Sequence, residues 1–208
     1  MSDAEGFILA GGASSRMGTD KSRLQIGGRT FTERVAAALG ALTAEVSIVS
    51  ARPDSNELKL PVVADVYRDC GALGGLHAAL DACRARWAAV VSCDLPFVTG
   101  ELFARLVELR TEDADAVVPR QADGRAQPLC ALYRRDSALA VAARLLAEGE
   151  RRPRVLLQAL HTRWVAPAEL ADLPGSELFF LNVNTPEDYE RAKMEIGTMK
   201  DEGKVGEW

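Results

Sequence analysis

Short apolar runs alternate with longer amphipathic stretches along almost the whole chain. Runs at residues 6–11, 45–50, 60–65, 87–94, 114–120, 126–133, 162–166 and 177–184 read as strands. Between them, residues 31–42, 73–86, 99–110, 136–149 and 185–197 carry apolar positions at helical spacing. Two helix starts are signposted. Thr99 stands three residues before Leu102 as an N-cap, and Thr185 caps a helix whose next residue is Pro186, with Asp188 at the capping-box position. Asp123-Gly124 marks a turn between two of the strands. Strand–helix alternation predicts an α/β fold, a Rossmann-like three-layer sandwich with a mostly parallel central sheet. Ligands in such sheets bind beyond the carboxyl ends of the strands. Gly11, Asp65, Asp94 and Asn184 all fall at predicted strand ends, so one edge collects the polar residues.

Composition narrows the classes. The chain has 208 residues, 48% apolar and 26% charged, which suits one globular domain with a core of its own. Residues 1–198 are expected to form that domain, and the polar stretch 199–208 a mobile tail. No apolar run approaches the roughly 20 residues of a membrane helix. The first residues lack the basic and apolar regions of a signal peptide, so the cytoplasm is the expected compartment. A net charge of −5 argues against non-specific nucleic-acid binding, and an anionic ligand would need a local cluster of cations. Cys70, Cys83, Cys93 and Cys130 include no C-x-x-C pair and are expected as free thiols rather than metal ligands or disulfides. His77 and His161 fit no base or metal arrangement and are read as surface or packing residues.

The densest chemistry lies in "ILAGGASSRMGTDKSRL", beginning at Ile8. Its spacing matches neither G-x-x-x-x-G-K-[ST] nor G-x-G-x-x-G. The physical logic of a phosphate loop still applies. Gly11 and Gly12 lack Cβ, so the main chain can aim N–H groups at phosphate oxygens from close range. Arg16 and Lys21 add a forked and a compact cation. Asp94 closes the strand 87–94 and Pro96 turns the chain away, leaving a carboxylate that either meets a ligand or caps the turn. A nucleoside triphosphate travels as its Mg²⁺ complex, which takes hard oxygen ligands. Asn182 and Asn184 are two apart on a predicted strand, hence on one face, although asparagine is disfavoured in strands. Turn chemistry beside Thr185 accounts for Asn184 but not for both. Arg151, Arg152 and Arg154 form a basic turn that either holds a phosphate or is simply solvated.

"LAGGASSRMGTDK" (9–21) resembles, at every fixed position, the L-A-G-G-x-x-x-R-M-G-x-D-K signature of MobA-type molybdenum cofactor guanylyltransferases. "CDLP" resembles the family's C-D-x-P, "NVNTPED" its N-x-N-T-P-[ED], and "GALGGL" its G-P-L-x-G with Ala72 in place of proline. Weaker likenesses are "PLCALY" and the Gly149–Arg152 stretch "GERR", giving coverage from Phe7 to about Ala192. The resemblance implies the nucleotide-diphospho-sugar transferase fold, with Mg²⁺ as cofactor. It implies that Leu9, Ala10, Gly11 and Gly12 line the guanine nucleotide, while Arg16 and Lys21 bind its phosphates. Ser50 occupies the place of a nucleotide-binding asparagine, and Asp65 contacts the nucleotide. Asp94 holds metal and nucleotide, Asn184 and Asn182 supply oxygens near the metal, and Arg151 and Arg152 hold the phosphate of the pterin.

The implied catalytic set is Arg16, Lys21, Asp94 and Asn184. The implied reaction is GMP transfer from GTP to molybdopterin, with or without molybdenum, releasing pyrophosphate and forming the guanine dinucleotide. Other proteins of molybdenum cofactor biosynthesis are the implied partners. A CTP-dependent molybdopterin cytidylyltransferase or a sugar-phosphate nucleotidyltransferase is the alternative, and a nucleotide-binding module without turnover is a third reading. Gly11, where CTP-using relatives more often carry alanine, favours the purine.

Overall fold

In β1 (Ala4–Leu9), Ala4 and Ile8 enter one apolar cluster while Phe7 and Leu9 enter another. That two-residue period with both sides buried is what a central strand between two helical layers requires. The computed structural model of the chain describes residues 3–10, 24–50, 58–65, 67 and 70–201, the side chains of 198–201 aside. A hairpin follows β1, made of β2 (Gln25–Ile26) and β3 (Arg29–Thr30), and leads directly into α1 (Phe31–Gly40). Next come β4 (Val46–Ser50), β5 (Val62–Ala64), α2 (Gly71–Ala82), β6 (Trp87–Ser92) and α3 (Gly100–Glu108). The second half supplies β7 (Ala116–Pro119), β8 (Cys130–Arg134), α4 (Arg135–Ala147), α5 (Pro153–Ala159), β9 (Thr162–Val165) and α6 (Pro186–Asp201).

The main sheet has seven strands in the order β5-β4-β1-β6-β8-β7-β9. β8 runs antiparallel between β6 and β7, and the other neighbouring strands pair in parallel. Val35, Leu39, Leu102, Phe103 and Leu106 of α1 and α3 cover one face. Leu76, Leu80, Leu145 and Leu156 of α2, α4 and α5 cover the other. A third cluster (Ile26, Phe31, Phe97, Leu178, Val183, Ala192 and Ile196) joins the hairpin, the turn after β6 and α6. The three-layer expectation holds.

Both signposted caps form. Thr99 accepts from the Leu102 N–H at 3.4 Å. Thr185 accepts from the Asp188 N–H at 3.1 Å, and the Asp188 carboxylate accepts from the N–H groups of Thr185 and Asn184 at 2.9 and 3.0 Å. The Asp123-Gly124 turn also forms, with Gly124 at φ +82° and the Gln121 N–H donating to the Arg125 carbonyl at 2.9 Å. All four cysteines are free. His77 proves to be a packing residue, 7% exposed.

The strand expected at 177–184 is absent. Residues 171–180 form successive turns, and 181–184 have no regular structure. β6 already has β1 on one side and β8 on the other, so no free edge remains beside it for another strand. The segment instead docks through buried Phe179 and Val183 and one main-chain bond, from the Val183 N–H to the Asp94 carbonyl at 3.0 Å.

Candidate functional site

The parallel strands end level with one another. Leu9 is in register with Val49 and with Ser92, and Ser50 with Ala64. Level strand ends place Leu9, Ser50, Asp65 and Asp94 along the carboxyl edge of β1, β4, β5 and β6. Three strand spacings separate the Asp65 end from the Asp94 end, about 14 Å. The N–H of Ala10 donates to the Val49 carbonyl at 2.9 Å, and that of Cys93 to the Leu9 carbonyl at 3.1 Å. The chain therefore leaves β1 anchored between β4 and the Asp94 turn. Gly11, Gly12, Arg16 and Lys21 lie outside the described residues.

Asp94 is half-buried, on a turn closed by the Leu95 N–H donating to the Ser92 carbonyl at 3.2 Å. The Arg34 guanidinium supports the same turn, its Nε donating to the Pro96 carbonyl at 2.8 Å. Asn182 reaches in from the far end of the chain. With its amide nitrogen facing the carboxylate, it donates to both oxygens of Asp94, each at 3.0 Å. Asn182 is exposed, so this is a solvent-facing contact rather than a core one. Two stretches nearly ninety residues apart in sequence thus meet at one carboxylate, through a docked irregular segment and not a strand face. The main chain of Asn184 is engaged in the cap of α6.

At the other end, the Asp65 carboxylate accepts from the Tyr67 N–H at 3.0 Å. Burial raises its pKa above the ordinary aspartate range, against the Tyr67 N–H and the nearby His77, which lower it. The Tyr67 ring stands edge-on to His77, with centroids 4.7 Å apart. A Cβ drawn on Gly75 would stand 4.0 Å from both Asp65 Oδ2 and Leu9 Cδ2, at ordinary contact distance. Leu9 and Asp65 therefore converge over α2. Ser50 is buried, 6% exposed.

The basic turn, read as either a phosphate holder or a solvated face, carries an acid of its own. Glu150 accepts from the N–H groups of Arg151 and Arg152 at 2.8 and 2.9 Å and pairs with the Arg152 guanidinium at 2.5 Å. These bonds pull its carboxyl down to about 2. Arg152 is thus already matched by a neighbour, a partner visible in the sequence as the acid before the two arginines. The turn packs beside the start of α2, where Gly71 at φ +62° comes within 3.7 Å of the Arg151 carbonyl when a Cβ is drawn on it. Arg34 is not singled out by sequence; an arginine on an otherwise apolar helix face was the available signal.

A mostly parallel sheet with acids and amides gathered at its carboxyl edge is the architecture of nucleotide-handling α/β proteins. More narrowly, residues 6–164 match the family described as the MobA-like NTP transferase domain, and the chain belongs to that family. It is 39% identical over 206 residues to "Probable molybdenum cofactor guanylyltransferase" of Chloroflexus aggregans, covering 93% of this chain and 95% of the relative. A relative of the same printed name from Pelotomaculum thermopropionicum is 38% identical, with 93% and 94% covered. Among solved structures, molybdopterin-guanine dinucleotide biosynthesis protein A from Archaeoglobus fulgidus superposes with a TM-score of 0.81 at 25% identity, covering 94% of this chain and all of the other. The fold is accordingly that of the nucleotide-diphospho-sugar transferases, and the chain is a nucleotidyltransferase. Among the described residues, no helix is long and apolar enough to cross a membrane.

Proposed function

We infer that the chain transfers GMP from GTP to molybdopterin, or to its molybdenum-bearing form, releasing pyrophosphate and forming molybdopterin guanine dinucleotide. The observation that carries this reading is the meeting of Asp94 with Asn182 at the carboxyl end of β6. The names of relatives matched over nearly their full length support the guanine nucleotide and the pterin acceptor.

Among the described residues there is no cluster of three or more His, Cys, Asp or Glu side chains able to hold a metal. One half-buried carboxylate with a neighbouring amide suits an ion that keeps its waters and takes its remaining ligands from substrate phosphates, which is the behaviour of Mg²⁺. Asp94 would hold it, with Asn184, and Asn182 once its amide turns, as neutral oxygen donors. When bound, it would offset charge on the α- and β-phosphates.

The chain's own part is positioning. Asp65, Leu9 and Ala10 would fix the nucleoside end, with Ser50 beside them. Asp94 would fix the phosphate end, where Gly11, Gly12, Arg16 and Lys21 complete the grip. A terminal phosphate oxygen of the pterin forms a bond to the α-phosphorus of GTP. The bond from that phosphorus to the bridging oxygen breaks, and pyrophosphate leaves with the electron pair. The nucleophile is already an anion, so no general base is needed, and charge neutralisation with alignment carries catalysis. Arg151 stays assigned to the acceptor phosphate, and Arg152 would have to exchange Glu150 for it. Residues 1–198 act as one domain in this reading, with a tail beyond them, in the cytoplasm alongside the proteins that supply and receive the cofactor.

The test is pyrophosphate release with molybdopterin present, across GTP, CTP and ATP. Release with GTP alone is expected, and Asp94→Ala should lose about a hundredfold in rate, on the order of 3 kcal/mol. Preference for CTP would replace the base assignment. Release with none of the three would leave a binding module.

A further inference from the structure

Arg34 is the exception on its helix face. It sits on the buried side of α1 among Phe31, Val35, Ala38 and Leu39, only 6% exposed. A charge taken out of water at that depth is costly unless its donors are used. Its Nε donates to the Pro96 carbonyl at 2.8 Å, two residues past Asp94. Its Nη1 makes a long bond, 3.5 Å, to the carbonyl of Ile26. Ile26 belongs to the hairpin that immediately follows the glycine-rich stretch, and a Cβ on Gly27, at φ +63°, would stand 3.7 Å from Nη1, at ordinary contact distance. The hairpin is tied further by the Phe31 N–H to the Leu24 carbonyl at 2.9 Å and by the Tyr189 hydroxyl to the Gln25 carbonyl at 2.6 Å. One planar group therefore spans the exit of the phosphate loop and the turn that carries Asp94.

We propose that Arg34 is a positioning residue for the transfer reaction, setting the Asp94 turn relative to the segment that leaves the phosphate-binding loop. The inference rests on the role given to Asp94 above. An arginine suits the task because its rigid fork reaches two carbonyls on separate segments, which a lysine's single ammonium does not reproduce. Burial, with the charge of Arg29 adding to it, lowers the guanidinium pKa to about 10, so the donor remains protonated at neutral pH.

The experiment compares wild type, Arg34→Gln, Arg34→Lys, Asp94→Asn and the Arg34→Gln/Asp94→Asn double variant. It measures pyrophosphate release from GTP with molybdopterin across a Mg²⁺ titration, well below each variant's unfolding temperature, together with thermal unfolding. Arg34→Gln is expected to lower kcat or raise the Mg²⁺ requirement by about ten- to a hundredfold, the effect of a displaced catalytic group. Arg34→Lys should fall between it and wild type. On the Asp94→Asn background the same change should add less than about threefold, because residues acting as one unit are not additive. A lower unfolding temperature with unchanged rate and Mg²⁺ requirement overturns the proposal, as does a full multiplicative loss in the double variant. If Arg34→Gln does not fold, Arg34→Lys is judged by the same comparison. Full activity of Asp94→Asn would instead remove the reading of the site itself.

Discussion

Replacing Asn182 separates two roles for its amide. With its amide nitrogen turned to the carboxylate, Asn182 donates to both oxygens of Asp94 at 3.0 Å. A hydrogen bond to a charged group contributes about 1.5–3 kcal/mol when well buried. Asn182 is exposed, so a discounted value of about 1–1.5 kcal/mol is appropriate, and Asn182→Ala should cost about five- to twelvefold in rate. Asn182→Asp is sharper. It sets a second carboxylate about 3 Å from the first, where repulsion is about 1.4 kcal/mol even at the dielectric of water. Without a divalent cation, Asn182→Asp should therefore be less stable than Asn182→Ala. A divalent cation should reverse that order, since two anionic donors bind it better than one. The assay is thermal unfolding of both variants with and without Mg²⁺, paired with pyrophosphate release across a Mg²⁺ titration. Equal responses of the two variants to Mg²⁺ would refute the idea that Asn182 and Asp94 share an ion. A wild-type rate for Asn182→Ala would refute any role for the contact.

Two further outcomes test the scaffold. A Cβ on Gly100 would stand 2.5 Å from Ala41 Cβ, where α3 abuts the end of α1 and neither atom can swing aside; Gly100→Ala should destabilise by about 1–2 kcal/mol after its gain in helix propensity, lowering the unfolding temperature by roughly 2–8 °C in calorimetry. His77 is buried, with Nδ1 unpartnered among the described residues, and burial lowers its pKa against the pull of Asp81 and Asp65. The folded state then binds fewer protons than the unfolded one, so this contribution is whole above about pH 6.5 and is lost as pH falls below it; urea unfolding at mildly acidic and neutral pH should show a smaller difference for His77→Gln than for wild type.

Much of this protein is legible without coordinates because it depends on local rules. Strand and helix positions follow from the period of apolar residues, and Thr99 and Thr185 with Asp188 mark helix starts through bonds spanning three residues. The parallel sheet follows from the alternation, and with it the edge where Asp65 and Asp94 emerge. The segment 177–184 misled because its apolar run looks like a strand, while strand formation requires an open sheet edge, and β1 and β8 had taken both edges of β6. Arg152 illustrates a local effect that charge counting omits: Glu150, two residues before it, folds back and pairs with its guanidinium.

Tertiary structure alone decided which distant groups touch. Asn182 against Asp94 and Arg34 under Pro96 join segments whose separation along the chain leaves no periodic trace. Periodicity and capping are properties of neighbours, whereas these contacts arise when separate layers bury their apolar faces and bring polar side chains to a common edge. Local rules along the chain set the elements, their layering and the chemical types available at that edge; the packing of α1, α6 and the turn after β6 around one cluster set their arrangement.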